Sequence, residues 1–179
     1  MAEEKKERWL NYLALSTVIL AVCATLSSFR GSSYSTRAVM SQTQAASQWS
    51  YFQSKSIKGY LYELSKEELE AEIEANVSLW PERSLGIYRG LAGRYAQEIA
   101  RYAGEKAEIQ EQARLLEVRR DHAQAHAKTF GMAVIFLQIA ILMSSVSALL
   151  RRKQMWVLSL LLGSVGIVYF VLCLLPSRP

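Results

Sequence analysis

The sequence predicts an all-α membrane protein: three transmembrane helices, with a long antiparallel helical (coiled-coil) hairpin inserted between the first and second. Three observations carry that prediction. Residues 9–29, 129–150 and 154–177 contain no charged side chain. Each run is long enough, at about 1.5 Å per residue, to cross a hydrocarbon core of roughly 30 Å. The 99 residues between the first two runs hold 14 Lys and Arg against 13 Asp and Glu, interspersed as on a solvated helical surface. The resulting order is a tail at 1–8, a span at 9–29, an extramembrane hairpin at 30–128 and a span at 129–150. A short basic turn at 151–153, a third span at 154–175 and a tail at 176–179 complete it.

The first run follows Lys5, Lys6 and Arg8, as a signal peptide would, but its apolar stretch is too long for one. A retained helix is the expectation. Cys23 and Cys173 both fall inside spans, so no disulfide framework is implied. The net charge of +5 is spread among acidic residues and does not form a nucleic-acid footprint.

Orientation follows from the short segments. Lys5, Lys6 and Arg8 at one end and Arg151, Arg152 and Lys153 in the turn outvote the lone Arg178 of the C-terminal tail. The positive-inside rule then puts the N-terminus in the cytoplasm and the hairpin outside, in the periplasm of a Gram-negative cell. Arg30, Arg37, Arg114, Arg119, Arg120 and Lys128 vote the other way. Segments longer than about 60 residues largely escape the rule, which weakens that vote.

Within the hairpin, Leu85, Tyr88, Ala92, Tyr95, Ile99, Tyr102, Lys106, Ile109, Ala113 and Leu116 alternate steps of three and four. That is the seam of a coiled coil, and only Lys106 and the later Arg120 interrupt its apolar character. No proline stands between Pro81 and Pro176. One helix from about Glu82 to Leu150 is therefore expected, with Pro81 near its start. The arms are placed at about 34–79 and 82–128. In the first arm, Val39, Gln42, Ala46, Trp49, Gln53, Ile57, Tyr60 and Leu64 form an apolar stripe interrupted by glutamines. Gly31, with Ser33 or Ser35 as a cap, is expected to break the chain between the first span and this arm.

A second ladder runs along the other arm. Gly86, Gly90, Gly93, Gln97, Ala100, Gly104 and Ala107 share a face turned away from the seam. Each glycine weakens a helix by about 1 kcal/mol, so a face of them needs a reason. Small residues let another backbone approach closely, and Gly86, Gly90, Gly93, Ala100 and Gly104 are candidate positions for contact with a second copy. The alternative is a flexible, weakly helical tip. In the spans, Ala14, Thr17, Ala21, Ala24 and Ser28, then Ala133, Ala140, Ser144 and Ser147, then Ser159 and Gly163 make further small-residue stripes.

No phosphate loop, nucleophile elbow, zinc-protease motif or paired-cysteine metal site occurs, and neither a catalytic residue nor a cofactor is expected. His122 and His126, four apart, are a weak metal candidate without a third ligand on their face. Gln138 is the one strongly polar side chain deep in a span, suited to an interhelix hydrogen bond or to a pore wall.

The stretches WLNYLALSTVILAVCATLS, YSTRAV and QWSYFQSKSIK carry a resemblance covering nearly the whole chain. They resemble a bacterial membrane family called domain of unknown function 4337. The resemblance implies an inner-membrane protein with a helical extramembrane insertion, and brings no activity onto particular residues. The leading expectation is a non-enzymatic, homo-oligomeric scaffold whose partners are the lipid bilayer, its own copies and a further protein, with no nucleic acid. The alternative is an oligomeric ion channel or energy-coupling subunit. Its layout would be similar to the proton-channel subunits of biopolymer-transport motors, although in those the last helix extends far beyond the membrane.

Overall fold

The computed structural model describes residues 2–174, with side chains from residue 9 onward. The described chain is three α-helices: α1 (Ala2–Asn76), α2 (Glu82–Leu150) and α3 (Lys153–Leu174). Each contains a window long and apolar enough to cross a membrane, and less than a third of each window is buried within the chain. That is the distribution a lipid-facing helix requires, because lipid rather than protein covers most of its surface. Residues 2–8, expected as a tail, form the first turns of α1, while Leu175 and the tail at 176–179 lie outside the described residues.

The expected break at Gly31 does not occur; α1 passes through it. The hydroxyls of Ser33 and Thr36 donate to the carbonyls of Phe29 and Ser32 one turn back, so these residues sit inside the helix rather than capping it. Gly31 has a packing role. A Cβ built on it would lie 3.1 Å from Cβ of Phe130.

The chain divides into two compact units. The first comprises residues 1–40 and 120–179 and holds the apolar windows. Leu20, Ala24, Leu137 and Ala140 form its buried cluster, with Cys23, Ile141, Leu162 and Ile167 packed around them. Close approach of the helices depends on small residues. Ala133, Ala140, Ser144 and Ser147 of α2 are fully buried, as is Ser159 of α3. Ser159 donates to the Ala140 carbonyl at 2.9 Å, and the Thr17 and Ser144 hydroxyls are hydrogen-bonded to each other. On α1 the sequence-read stripe is displaced. Leu13, Leu20, Ala24 and Ser27 are buried, whereas Ala14 and Ser28 are exposed. The reason is that α3 supplies the small partner: Gly163 and Gly166 leave the room taken by Leu20 and Leu137.

The basic turn is Arg151 and Arg152, with Lys153 opening α3. Arg151 takes φ of 51°, the left-handed geometry that closes a helix, and the Ser147 hydroxyl donates to the Arg152 carbonyl at 2.9 Å. At the far end of the second unit, the Asn76 carbonyl accepts from the amides of Leu79 and Trp80. The Pro81 carbonyl accepts from Ser84 and Leu85, which starts α2, and Trp80 packs on Tyr88 with ring centres 4.6 Å apart.

Candidate interaction surface

The second unit, residues 41–119, is built from a stretch of α1 and a stretch of α2. Contacts between them reverse in order along the chain. Trp49 Nε1 donates to Glu117 at 2.9 Å, Lys55 Nζ meets Glu105 at 2.6 Å, and Tyr62 packs against Tyr102 and Tyr95.

Their inner faces follow a seven-residue repeat, labelled a to g. On α2, Leu85, Ala92, Ile99, Lys106 and Ala113 hold position a, and Tyr88, Tyr95, Tyr102, Ile109 and Leu116 hold d; all are buried or half-buried. On α1 the inner positions are Ala45, Phe52, Gly59 and Lys66 at a, and Gln48, Lys55, Tyr62 and Leu69 at d. The stripe read from the sequence lies one or two residues further on and, apart from half-buried Trp49, faces outward. Ile57, Tyr60 and Leu64 are 61 %, 62 % and 54 % exposed. Hydropathy chose the wrong face because the true inner face of α1 carries Gln48, Lys55, Gly59 and Lys66.

Those polar inner residues are accommodated individually. Gly59 leaves space for the Lys106 side chain, whose Nζ comes within 3.9 Å of where a Cβ would stand, and the ammonium emerges over the Tyr60 ring. Lys55 lies over the rings of Tyr51 and Tyr102 as it reaches Glu105. Glu105 also pairs with Arg101 at 3.4 Å, and Arg101 with Glu98 at 2.8 Å.

The hydrogen bond with Lys55 holds the Glu105 carboxyl below its ordinary value of 4.5. The bond to Glu105, followed by one to Tyr51, holds Lys55 above 10.5. A carboxyl lowered by folding stabilises above its unfolded value and loses that contribution as pH falls through the folded value. A lysine raised by folding stabilises below its unfolded value and loses it as pH rises through the folded value. Both contributions are therefore complete between about 4.5 and 10.5. Glu105→Gln should lower the thermal midpoint at pH 7 slightly, as expected for a pair with solvent access. It should also flatten the decline in midpoint below pH 4.5. An acid limb as steep as that of the wild type would show that Lys55–Glu105 contributes nothing to it.

These pairs divide the outer surface into two flanks. Trp49 and Glu117, which are bonded, both hold position e; Lys106 emerges over Tyr60 at b. One flank of each helix, positions e and b, therefore lies on a common side, with f outermost. Glu105 and Tyr51 hold g, so positions g and c form the opposite side. Charge is sorted between them. On α2 from residue 90 to 110, the e/b/f positions read Gly90, Gly93, Ala96, Gln97, Ala100, Ala103, Gly104, Ala107 and Gln110, without a charge. The g/c positions over the same stretch read Leu91, Arg94, Glu98, Arg101, Glu105 and Glu108. On α1 from 42 to 64, Glu63 is the one charge at e, b or f. A Cβ added to Gly86, Gly90, Gly93 or Gly104 would meet nothing within 4 Å.

In the first unit, Gln138 stands on an exposed face of α2, with exposed Gly131 and Ser145 seven residues to either side. It has no hydrogen-bond partner among the described residues. His122 and His126 do share a face, with ring centres 4.7 Å apart. His126 also stacks on Tyr34 and places Nδ1 3.3 Å from Cys173 Sγ. Among the described residues no group of three His, Cys, Asp or Glu is arranged to hold a metal.

Residues 9–176 match the family model described as domain of unknown function, DUF4337. The chain belongs to this family. No curated protein and no solved structure matches it. For this DUF4337 chain, the sorted flanks of residues 41–119 were only half visible in the sequence. The glycine ladder is legible there, whereas the outward position of the apolar stripe on α1 is not.

Proposed function

We propose that this DUF4337 chain is a non-enzymatic inner-membrane scaffold. Three spans would anchor an antiparallel coiled-coil hairpin that assembles with copies of itself. The observation that carries the reading is the glycine-lined outer face of α2 from 90 to 110, which has no charged residue at its e, b and f positions. Water favours Lys and Glu there, and a surface stripped of them, with glycines left open, suits another backbone. Gln138 gives independent support. A lone amide facing hydrocarbon costs about 1–3 kcal/mol or more without a partner, and a neighbouring copy supplies one.

Two measurements test this. Purified protein in detergent should have a protein mass that is a multiple of 20.2 kDa; a mass of one chain would end the assembly reading. Single cysteines at exposed Glu67 and Glu108 should react with a membrane-impermeant thiol reagent in intact spheroplasts. Reaction only after lysis would put the hairpin in the cytoplasm, reversing the orientation read from the basic tail and turn.

A further inference from the structure

Six residues stand on one outward face of the apolar window of α2: Gly131, Ile135, Gln138, Leu142, Ser145 and Leu149, all exposed. At 100° per residue they fall within an arc of about 80°. Ile135, Leu142 and Leu149 are 50 %, 66 % and 83 % exposed, and Gly131, Gln138 and Ser145 alternate with them. The windows of the other helices present bulky aliphatic residues instead, such as Leu15, Val18 and Val22 on α1 and Leu158, Leu161 and Val165 on α3. Outward hydroxyls are satisfied within their own helix: Thr25 donates to Ala21, Ser145 to Ile141 and Ser164 to Leu161. The Gln138 carboxamide has no such partner among the described residues.

We propose that two copies pair in the membrane through this face of α2, about a two-fold axis along the bilayer normal, with the two Gln138 carboxamides hydrogen-bonded to each other. This pairing rests on the assembly reading above and gives it a face, a symmetry and a bond within the bilayer. A carboxamide donates through its nitrogen and accepts through its oxygen, so it is complementary to another of its kind. Lipid tails offer neither group. Copies inserted in the same sense hold Gln138 at the same depth, and a rotation about the bilayer normal leaves that depth unchanged. Each amide then meets its counterpart without any sliding of one helix along the other.

The neighbouring residues suit such a contact. Steps of four and three set small and large residues in alternate layers, the pattern by which two helices crossing at about 20° interlock. Gly131 leaves the facing helix room to approach, since an added Cβ there would meet nothing within 4 Å. From Gly131 to Leu149 the face is about 27 Å long, most of a hydrocarbon core of roughly 30 Å.

Detergent competes for an apolar face, so the test is made in membranes, with full-length chains carrying Cys23→Ala and Cys173→Ala. Oxidation with copper phenanthroline should join Leu142→Cys chains through a disulfide into a product of twice the chain mass. Val22→Cys on α1 and Leu161→Cys on α3, at positions 53 % and 61 % exposed, should give none. In liposomes, Gln138→Leu should move the dissociation of dye-labelled chains on dilution with lipid to an about three- to twentyfold higher protein density, the range a membrane hydrogen bond supplies. Gln138→Asn, which keeps donor and acceptor, should restore part of the shift. An assembled particle whose Leu142→Cys chains give no such product, or no more than the two controls, overturns this pairing and leaves assembly standing. So does a product of another mass, which would put a different protein on the face, and so does Gln138→Leu dissociating as the wild type does. A single-chain mass with no cross-link overturns both.

Discussion

Leucine at both Gly90 and Gly93 should break the assembly apart while making each separate chain more helical. In a helix interior the exchange favours the helix by up to about 1 kcal/mol per site. Neither position has an atom within 4 Å of an added Cβ, so the substitution begins in open space in its own copy. A second backbone packed on these glycines would be pushed away at a cost of roughly 1–3 kcal/mol per site, multiplied by the number of copies that share the contact. Mass in detergent should drop to that of one chain, and the thermal midpoint should lose its dependence on protein concentration. Glu108→Leu on the charged flank serves as the control and should leave the mass unchanged. A double variant that stays assembled and melts higher would show the glycines to be a flexible feature of the tip and remove the main support for an interface.

Gly166→Ala should produce the opposite pattern, a chain that is less stable by itself. An added Cβ would stand 2.8 Å from Cγ of Leu137 and 3.1 Å from its backbone nitrogen. A backbone atom cannot turn aside, so α3 must move from α2. The expected cost is about 1–3 kcal/mol, partly offset by the better helix propensity of alanine. Gly163→Ala is tighter at one atom, 2.7 Å from Cδ2 of Leu20, but that atom ends a side chain. Its effect should be smaller, and Leu20→Val should recover most of it. Gly131→Ala, which meets nothing, should be neutral or stabilising. Unfolding in mixed micelles orders the three variants. If Gly166→Ala matches the wild type, α2 and α3 do not pack as closely as described.

The extent of α2 was legible because nothing in the sequence competes with it: no proline, no change in the three-four ladder, and glycines too scattered to stop a helix already held by its seam. The continuity of α1 was not. Gly31 between serines has the composition of a break, and only the approach of Phe130 shows that the glycine answers a neighbour rather than ending the helix. The inner face of α1 is hidden in the sequence for a related reason. Apolar periodicity locates a buried face only when there is a single face to bury, and here Ile57, Tyr60 and Leu64 outweigh Gly59, Lys55 and Lys66 in hydropathy. Once the contacts fix the inner face, the absence of charge at the outer positions of α2 from 90 to 110 follows from the letters alone. Gln138 was recognised as exceptional, but which way it turns depends on the packing of Ala133, Leu137 and Ala140 beside it.

Lys106 passing Gly59 has a consequence for how the arms find each other. Seven-residue repeats are nearly self-similar, so sliding one arm by a whole repeat would still place apolar rings and alanines together. Lysine removes that degeneracy. Shifted one repeat in one direction, its stem would run into Phe52; in the other, its ammonium would approach Lys66. Only the alignment with a glycine opposite lets the charge escape to water. A residue that weakens the seam therefore excludes the neighbouring alignments, as a single polar residue at an inner position does in helical zippers. The chain gives up some cohesion at one layer and gains a unique way to close.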